Sequence, residues 1–319
     1  MQKHVGLLFL FFLVLSCSPE AKNTVDVSNI DVSYSLKRFD VDFYTSTTDS
    51  LSKVKDAYPY FFDAVTPDSV WVNKIQSKDE QALFSEVQKK YSDLSVLEED
   101  ITSLLKHIKY YHPSFKTPTV ITLLSNVDYQ NRVIYSSDYV LIALDLYLGS
   151  NHEFYADFPS YIKQNFTRNH ILVDIANAIG TRFVPPNKDR TFVAKMVHEG
   201  RQLYALDRYL PTFKDATKIG YSDEKLTWAI ENEEQVWKYF ISEQLLFSTD
   251  SKLNARFLEL APFSKFYREE DAKSPGKIGA WIGWQIVRSY MKYNDVSLQK
   301  LMNTSPEEIF KKSNYKPKK

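Results

Sequence analysis

The residues best suited to chemistry in this 319-residue chain are His198, Glu199 and Gln202, which share one helix-patterned stretch. Positions i and i+4 of a helix lie on one face, so imidazoles at both could grip a single divalent ion. A glutamate beside the first imidazole could then act as general base on the metal-bound water. Here His198 fills the first ligand position and Glu199 the base position, but Gln202 stands where the second imidazole belongs. A neutral amide oxygen is a poor zinc ligand beside imidazole or thiolate. A further ligand would have to come from Glu233 or Glu234, near the centre of a second helical pattern over residues 224–246. The competing reading of Glu199 is structural. It falls within the apolar stripe Phe192, Met196, Leu203, Leu206 and Leu210, where a carboxylate needs a partner or a raised pKa.

No other stretch carries a catalytic pattern. There is no G-x-S-x-G, no phosphate-cradling glycine loop and no dinucleotide fingerprint. His107 and His112 fall near a helix end, His152 and His170 lie in polar surroundings, and none forms a pair at ligand spacing. Asp145, at the end of a short apolar strand, reads first as a turn-forming aspartate.

The elements that must position these residues follow from periodicity. Leu83, Val87, Tyr91 and Leu94, then Leu97, Ile101, Leu104, Leu105 and Ile108, predict two helices over residues 79–109, ended by Tyr111-His112-Pro113. Ile30, Val32, Tyr34 and Leu36 alternate as a short strand would. The apolar runs 120–124 and 139–144, with Val133-Ile134-Tyr135 between them, predict a small antiparallel sheet. From about residue 160 the pattern is helical, broken at prolines 185, 186, 211, 262 and 275. The expected fold class is therefore α+β, mostly helical with a small sheet, as one domain over residues 30–319. Gly279 and Gly283, four apart, allow another backbone to approach. Trp281, Trp284 and Tyr290 lie on the same helix, which is aromatic enough to pack into a core or to offer a docking surface for a partner protein.

Composition narrows the setting. Forty acids balance forty bases, so there is no field to attract nucleic acid. Only 8 glycines accompany 21 Tyr, 21 Phe and 5 Trp, which favours helices joined by short loops. Residues 1–16 read as a signal: Lys3 and His4, then an apolar run over 5–15 too short to span a bilayer. The run ends in Val14-Leu15-Ser16-Cys17, which resembles the bacterial lipobox. That resemblance implies cleavage before Cys17 and acylation of its thiol, with residues 17–29 as a tether. Several acyl chains anchor stably where one is marginal. Cys17 is also the only cysteine, so a lipidated chain has no thiol left for disulfides or catalysis.

Two resemblances complete the reading. Strands followed by a helix bearing His198-Glu199 resemble the zincin metallopeptidase layout, in which a sheet edge binds extended substrate. That likeness implies an alternative envelope peptidase with zinc, using His198, Glu199 and Glu233 or Glu234. The second resemblance is broader. Pro275–Met291, Ala261–Tyr267, Lys218-Ile219-Gly220-Tyr221, the Trp228–Trp237 helix and Ser313-Asn314-Tyr315-Lys316-Pro317 are similar to the GldB-type gliding-motility lipoproteins. So are Lys37-Arg38-Phe39-Asp40, Tyr58-Pro59-Tyr60-Phe61-Phe62 and Leu144–Gly149. It implies an outer-envelope lipoprotein needed for gliding over surfaces, held on the bilayer by Cys17 and working beside other envelope proteins of a motility and secretion apparatus. Ser18 after the cysteine favours the outer membrane, and no cofactor is expected.

Overall fold

The computed structural model describes residues 25–318; the signal stretch and Cys17 lie outside the described residues. The chain opens with β1 (Leu36–Arg38), α1 (Phe39–Tyr44), α2 (Leu51–Ala57), α3 (Asp68–Gln76), α4 (Lys78–Tyr91) and α5 (Ser95–Tyr111). The sheet strands β2 (Thr119–Leu123), β3 (Val133–Tyr135) and β4 (Tyr139–Ala143) follow. Then come α6 (Ser160–Lys163), α7 (Arg168–Gly180), α8 (Phe192–Tyr209), α9 (Asp215–Ile219), α10 (Asp223–Glu231), α11 (Glu233–Ser242) and α12 (Lys252–Phe257). The last three helices are α13 (Ile278–Tyr293), α14 (Leu298–Asn303) and α15 (Pro306–Lys312). The α+β class expected from the pattern is the class observed.

The helix pair over residues 79–109 forms as α4 and α5. The Ser77 hydroxyl caps α4 by accepting the Glu80 N–H, with acids in the first turn and Lys89 and Lys90 in the last. His112-Pro113 stops α5, because proline disfavours helical geometry in the residue before it.

The sheet differs from the expectation in direction. Its order is β1-β2-β4-β3, with β1 and β2 parallel, β2 and β4 parallel, and only β3 antiparallel to β4. Val133–Tyr135 folds back on β4 as a hairpin and takes its outer side, which leaves the inner side for β2 to join in parallel. The mostly apolar character of β2 and β4 fits that arrangement, since parallel strands are covered on both faces. The strand expected over residues 30–36 forms instead at Leu36–Arg38, sharing only Leu36 with it, while Val32 and Tyr34 pack against the core without joining the ladder. Asp40, fully buried, ties this end together: it accepts from Arg38, Gln88 and the Thr122 hydroxyl. On the edge strand, the Tyr135 carbonyl accepts from the Arg182 guanidinium at 3.3 Å.

Asp145 turns out as a turn former. Just beyond β4, its buried carboxylate accepts the backbone N–H groups of Ser125 (3.0 Å) and Val127 (2.7 Å). Those bonds hold a loop in which Asn126 and Val127 both have positive φ (58° and 60°).

The centre of the helical half is the crossing of α8 and α13. The two helices meet backbone to backbone: a Cβ on Gly200 would lie 2.3 Å from the Gly283 carbonyl carbon, and one on Gly283 would lie 1.8 Å from the Met196 carbonyl oxygen. Gly200 and Gly283 are what the contact requires. Phe192, Phe240 and Phe257 close one end of the crossing with ring centroids 5.1 to 5.8 Å apart.

Candidate functional site: a charge-balanced cleft beside α8

Helix α8 carries Glu199 on the turn next to Gly200, so the glycine crossing brings the N-terminal end of α13 close to it. The facing side chain is Lys277, in the residue that leads into α13. Its backbone is left-handed (φ 58°), uncommon for a long side chain and sustained only where the surroundings dictate it. They do so here. Ser264 Oγ donates to the Pro275 carbonyl at 2.7 Å, and Tyr221 Oη donates to the Gly276 carbonyl at 2.7 Å. Gly276 has no room for a side chain, since a Cβ would fall 2.2 Å from the Ala261 carbonyl oxygen. The turn thus presents Lys277 in one direction.

An ion pair completes the charge cluster. Asp174 on α7 accepts from Arg132 at 3.0 Å and from the Tyr147 hydroxyl at 2.7 Å. The Arg132 guanidinium also lies 5.8 Å from the Phe166 ring. Burial pushes the Glu199 carboxyl up, and the Lys277 charge opposes it. Burial likewise pushes Asp174 up, against Arg132, the Tyr147 hydrogen bond and Lys277. Burial lowers Lys277, opposed by Glu199 and Asp174 and assisted by Arg132. Two carboxylates and two cations share this low-dielectric space, each making the other's charge tolerable. Lys277 and Glu199 form no direct hydrogen bond, so they couple through space.

That coupling predicts a sign. Lys277→Met alone should destabilise more than Lys277→Met combined with Glu199→Gln, because the single change leaves a buried carboxylate uncompensated. Urea unfolding of the two single variants and the double should show a coupling of about 1 kcal/mol or more, and strictly additive effects would remove the pairing.

The residues expected to bind metal have other partners. His198 Nδ1 faces Arg201 at 3.1 Å, and burial together with that guanidinium lowers the His198 pKa. Arg201 is itself buried and donates to the carbonyls of Met302 (2.7 Å) and Thr304 (3.1 Å). A metal-binding imidazole is ordinarily backed by a carboxylate or carbonyl, and a fixed positive charge there opposes a divalent ion. Glu233, buried at the start of α11, accepts at Oε1 from the Tyr315 hydroxyl (2.9 Å) and the Lys318 N–H (3.2 Å). Glu234 pairs with Lys238 at 3.1 Å. Among the described residues no three His, Cys, Asp or Glu side chains come together as a ligand group.

The single helix expected over residues 224–246 is also two. The chain breaks at Asn232, whose side-chain amide donates to the Trp228 carbonyl and competes with the helical ladder. The aromatic face of α13 is corrected as well. Trp281, Trp284 and Tyr290 are 3%, 0% and 2% exposed, so they fill the core and offer no surface to a partner.

Lys277, Asp174, Arg132 and Tyr147 escaped the sequence reading, being scattered over distant segments. One signal for Asp174 was present: it interrupts Ile171-Leu172-Val173 and Ile175-Ala176 on an otherwise buried helix. A lone carboxylate in such a run requires a partner.

The fold and this charge cluster define an α+β protein in which two carboxylates and two cations balance one another within the chain. The chain belongs to the family described as gliding motility protein GldB, which matches residues 20–317. A role connected with gliding motility follows from that membership. No curated protein and no solved structure shows a significant match to it.

Proposed function

We propose that this protein is a lipid-anchored, non-enzymatic component of the cell envelope, held in the outer membrane by acylated Cys17 and acting with partner proteins of the gliding apparatus. The observation that carries this reading is the family match across residues 20–317. Three further features support it. Val14-Leu15-Ser16-Cys17 has the form of a lipid-acceptor site. No helix of the described residues is long and apolar enough to cross a membrane, so a chain that works at a bilayer through these helices needs another attachment. Glu199, the one candidate general base, is coupled to the charge of Lys277.

The anchor is tested by mass spectrometry of protein purified from the envelope: an N-terminal peptide beginning at Cys17 and carrying acyl chains is expected, and an unmodified thiol refutes the anchoring. The partner role is tested by affinity isolation from solubilised envelopes, which should recover other envelope proteins; recovery of the protein by itself speaks against it. The enzymatic alternative is tested with His198→Ala and Glu199→Gln. Cells producing either variant at normal abundance should still glide, and loss of gliding with both variants at full abundance would favour chemistry.

A further inference from the structure

A cleft of about 900 Å3 lies between α8, α13 and the segment after α15, away from the Glu199 cleft's lysine turn. Its size is that of a small-ligand site. Its walls are fixed. Ser289 Oγ donates to the Ser313 carbonyl at 2.7 Å, and Asn294 donates to the Lys312 carbonyl at 3.1 Å. The Tyr315 ring stands edge-on to Trp237 at 5.1 Å.

The cleft has two electrostatic layers. Its floor is neutral, because Arg288 and Lys218 together balance Asp207 and Asp215. Above that floor, Arg208, Lys292, Lys316 and Lys318 make no ion pair with any described residue. Among the described residues lining the cleft one carboxylate opposes them, Glu233, and its Oε1 is already accepting from Tyr315 and the Lys318 backbone. The Arg208 guanidinium stacks 4.9 Å from the Tyr204 ring and donates to that hydroxyl, which orients its remaining N–H groups. A separate observation points the same way. The amide nitrogen of Gln285, on the cleft wall, is buried and has no hydrogen-bond partner. A buried donor without an acceptor costs free energy that a ligand oxygen would restore.

Cations and donors therefore converge on this space with little to accept from them. We propose that the cleft binds a phosphate-bearing anion through Arg208, Lys292, Lys316 and Lys318, with the Gln285 amide as a neutral donor. Phosphate suits the set because it carries up to two charges and several acceptor oxygens, which donors arriving from different directions can share. A single carboxylate would satisfy few of them.

The test is isothermal titration of the full-length acylated protein in uncharged detergent, with inorganic phosphate and glycerol 3-phosphate as probes. Binding should weaken at least tenfold in the Lys292→Glu/Lys316→Glu double variant, whose side chains are exposed and do not hold the fold. A control, Lys311→Glu/Lys312→Glu, changes net charge equally but alters lysines paired with Glu307 and Glu308 outside the cleft, so it should bind as the parent does. If glycerol 3-phosphate binds about tenfold tighter than inorganic phosphate, the ligand is a lipid headgroup; equal affinities indicate a free phosphate compound. Failure of both probes to bind more tightly than on the order of 10 mM overturns the proposal. Equal weakening in both double variants overturns it too.

Discussion

Gly283→Ala is expected to lower stability by about 2 kcal/mol or more, although alanine is the better helix former. Helix propensity alone favours the substitution by roughly 0.8–1 kcal/mol. Against this, the new Cβ would lie 1.8 Å from the Met196 carbonyl oxygen and 2.3 Å from its carbon, so two backbones must separate. Overpacking of a filled core costs about 1–3 kcal/mol even where side chains can move, and here none is available to yield. The corresponding fall in Tm is on the order of 5 °C. Gly180→Ala is the internal control: its Cβ would meet only the edge of the Tyr209 ring at 3.3 Å, and a small shift accommodates it. Thermal unfolding of both variants decides the matter, and a Gly283→Ala protein as stable as its parent would refute the close crossing.

Asp207→Ala should be as damaging for electrostatic reasons. Asp207 accepts from the Lys218 ammonium at 2.8 Å, the Trp284 indole N–H at 3.0 Å and the Arg288 guanidinium at 2.8 Å. The Lys218 side chain has no exposed surface. Removing one member of a buried charge network costs about 3–5 kcal/mol, because the remaining ions stay desolvated. The network also sets an acid response. Burial works against the Asp207 charge, but the hydrogen bonds and charges of Arg288 and Lys218 outweigh it and hold its pKa below the usual carboxylate range. A carboxyl with a depressed folded-state pKa contributes stability that is present above its unfolded value, about 3.9, and lost as pH falls through the folded one. The parent should therefore lose stability below about pH 4 more steeply than the variant. Parallel urea titrations at neutral and acid pH measure both effects, and indistinguishable acid profiles would deny Asp207 that role.

How far the chain could be read in advance depended on the range of the interactions involved. Helices α4, α5 and α8 announced themselves because their apolar spacing is local, and α4 adds the Ser77 cap. The glycines of α13 were legible as points of close approach, although the matching glycine on α8 sat unnoticed inside the supposed metal motif. Strand direction was not legible, since nothing near β2 says that β3 will occupy the far side of β4. The break at Asn232 was hidden by a continuous apolar stripe. The Glu199 cleft was half legible: the carboxylate stood out, but its counter-charge arrives from residue 277 through a turn whose left-handed backbone no periodicity reveals. The burial of Trp281 and Trp284 followed from a neighbour supplied by distant sequence.

The edge strand β3 has a consequence for how other proteins can engage this one. A guest polypeptide that lengthens a sheet needs a run of outward-facing amides and carbonyls to zip onto. This border is three residues long, and the Tyr135 oxygen is already claimed by Arg182. Too few rungs remain to hold an incoming chain, so recognition here has to be written in side chains.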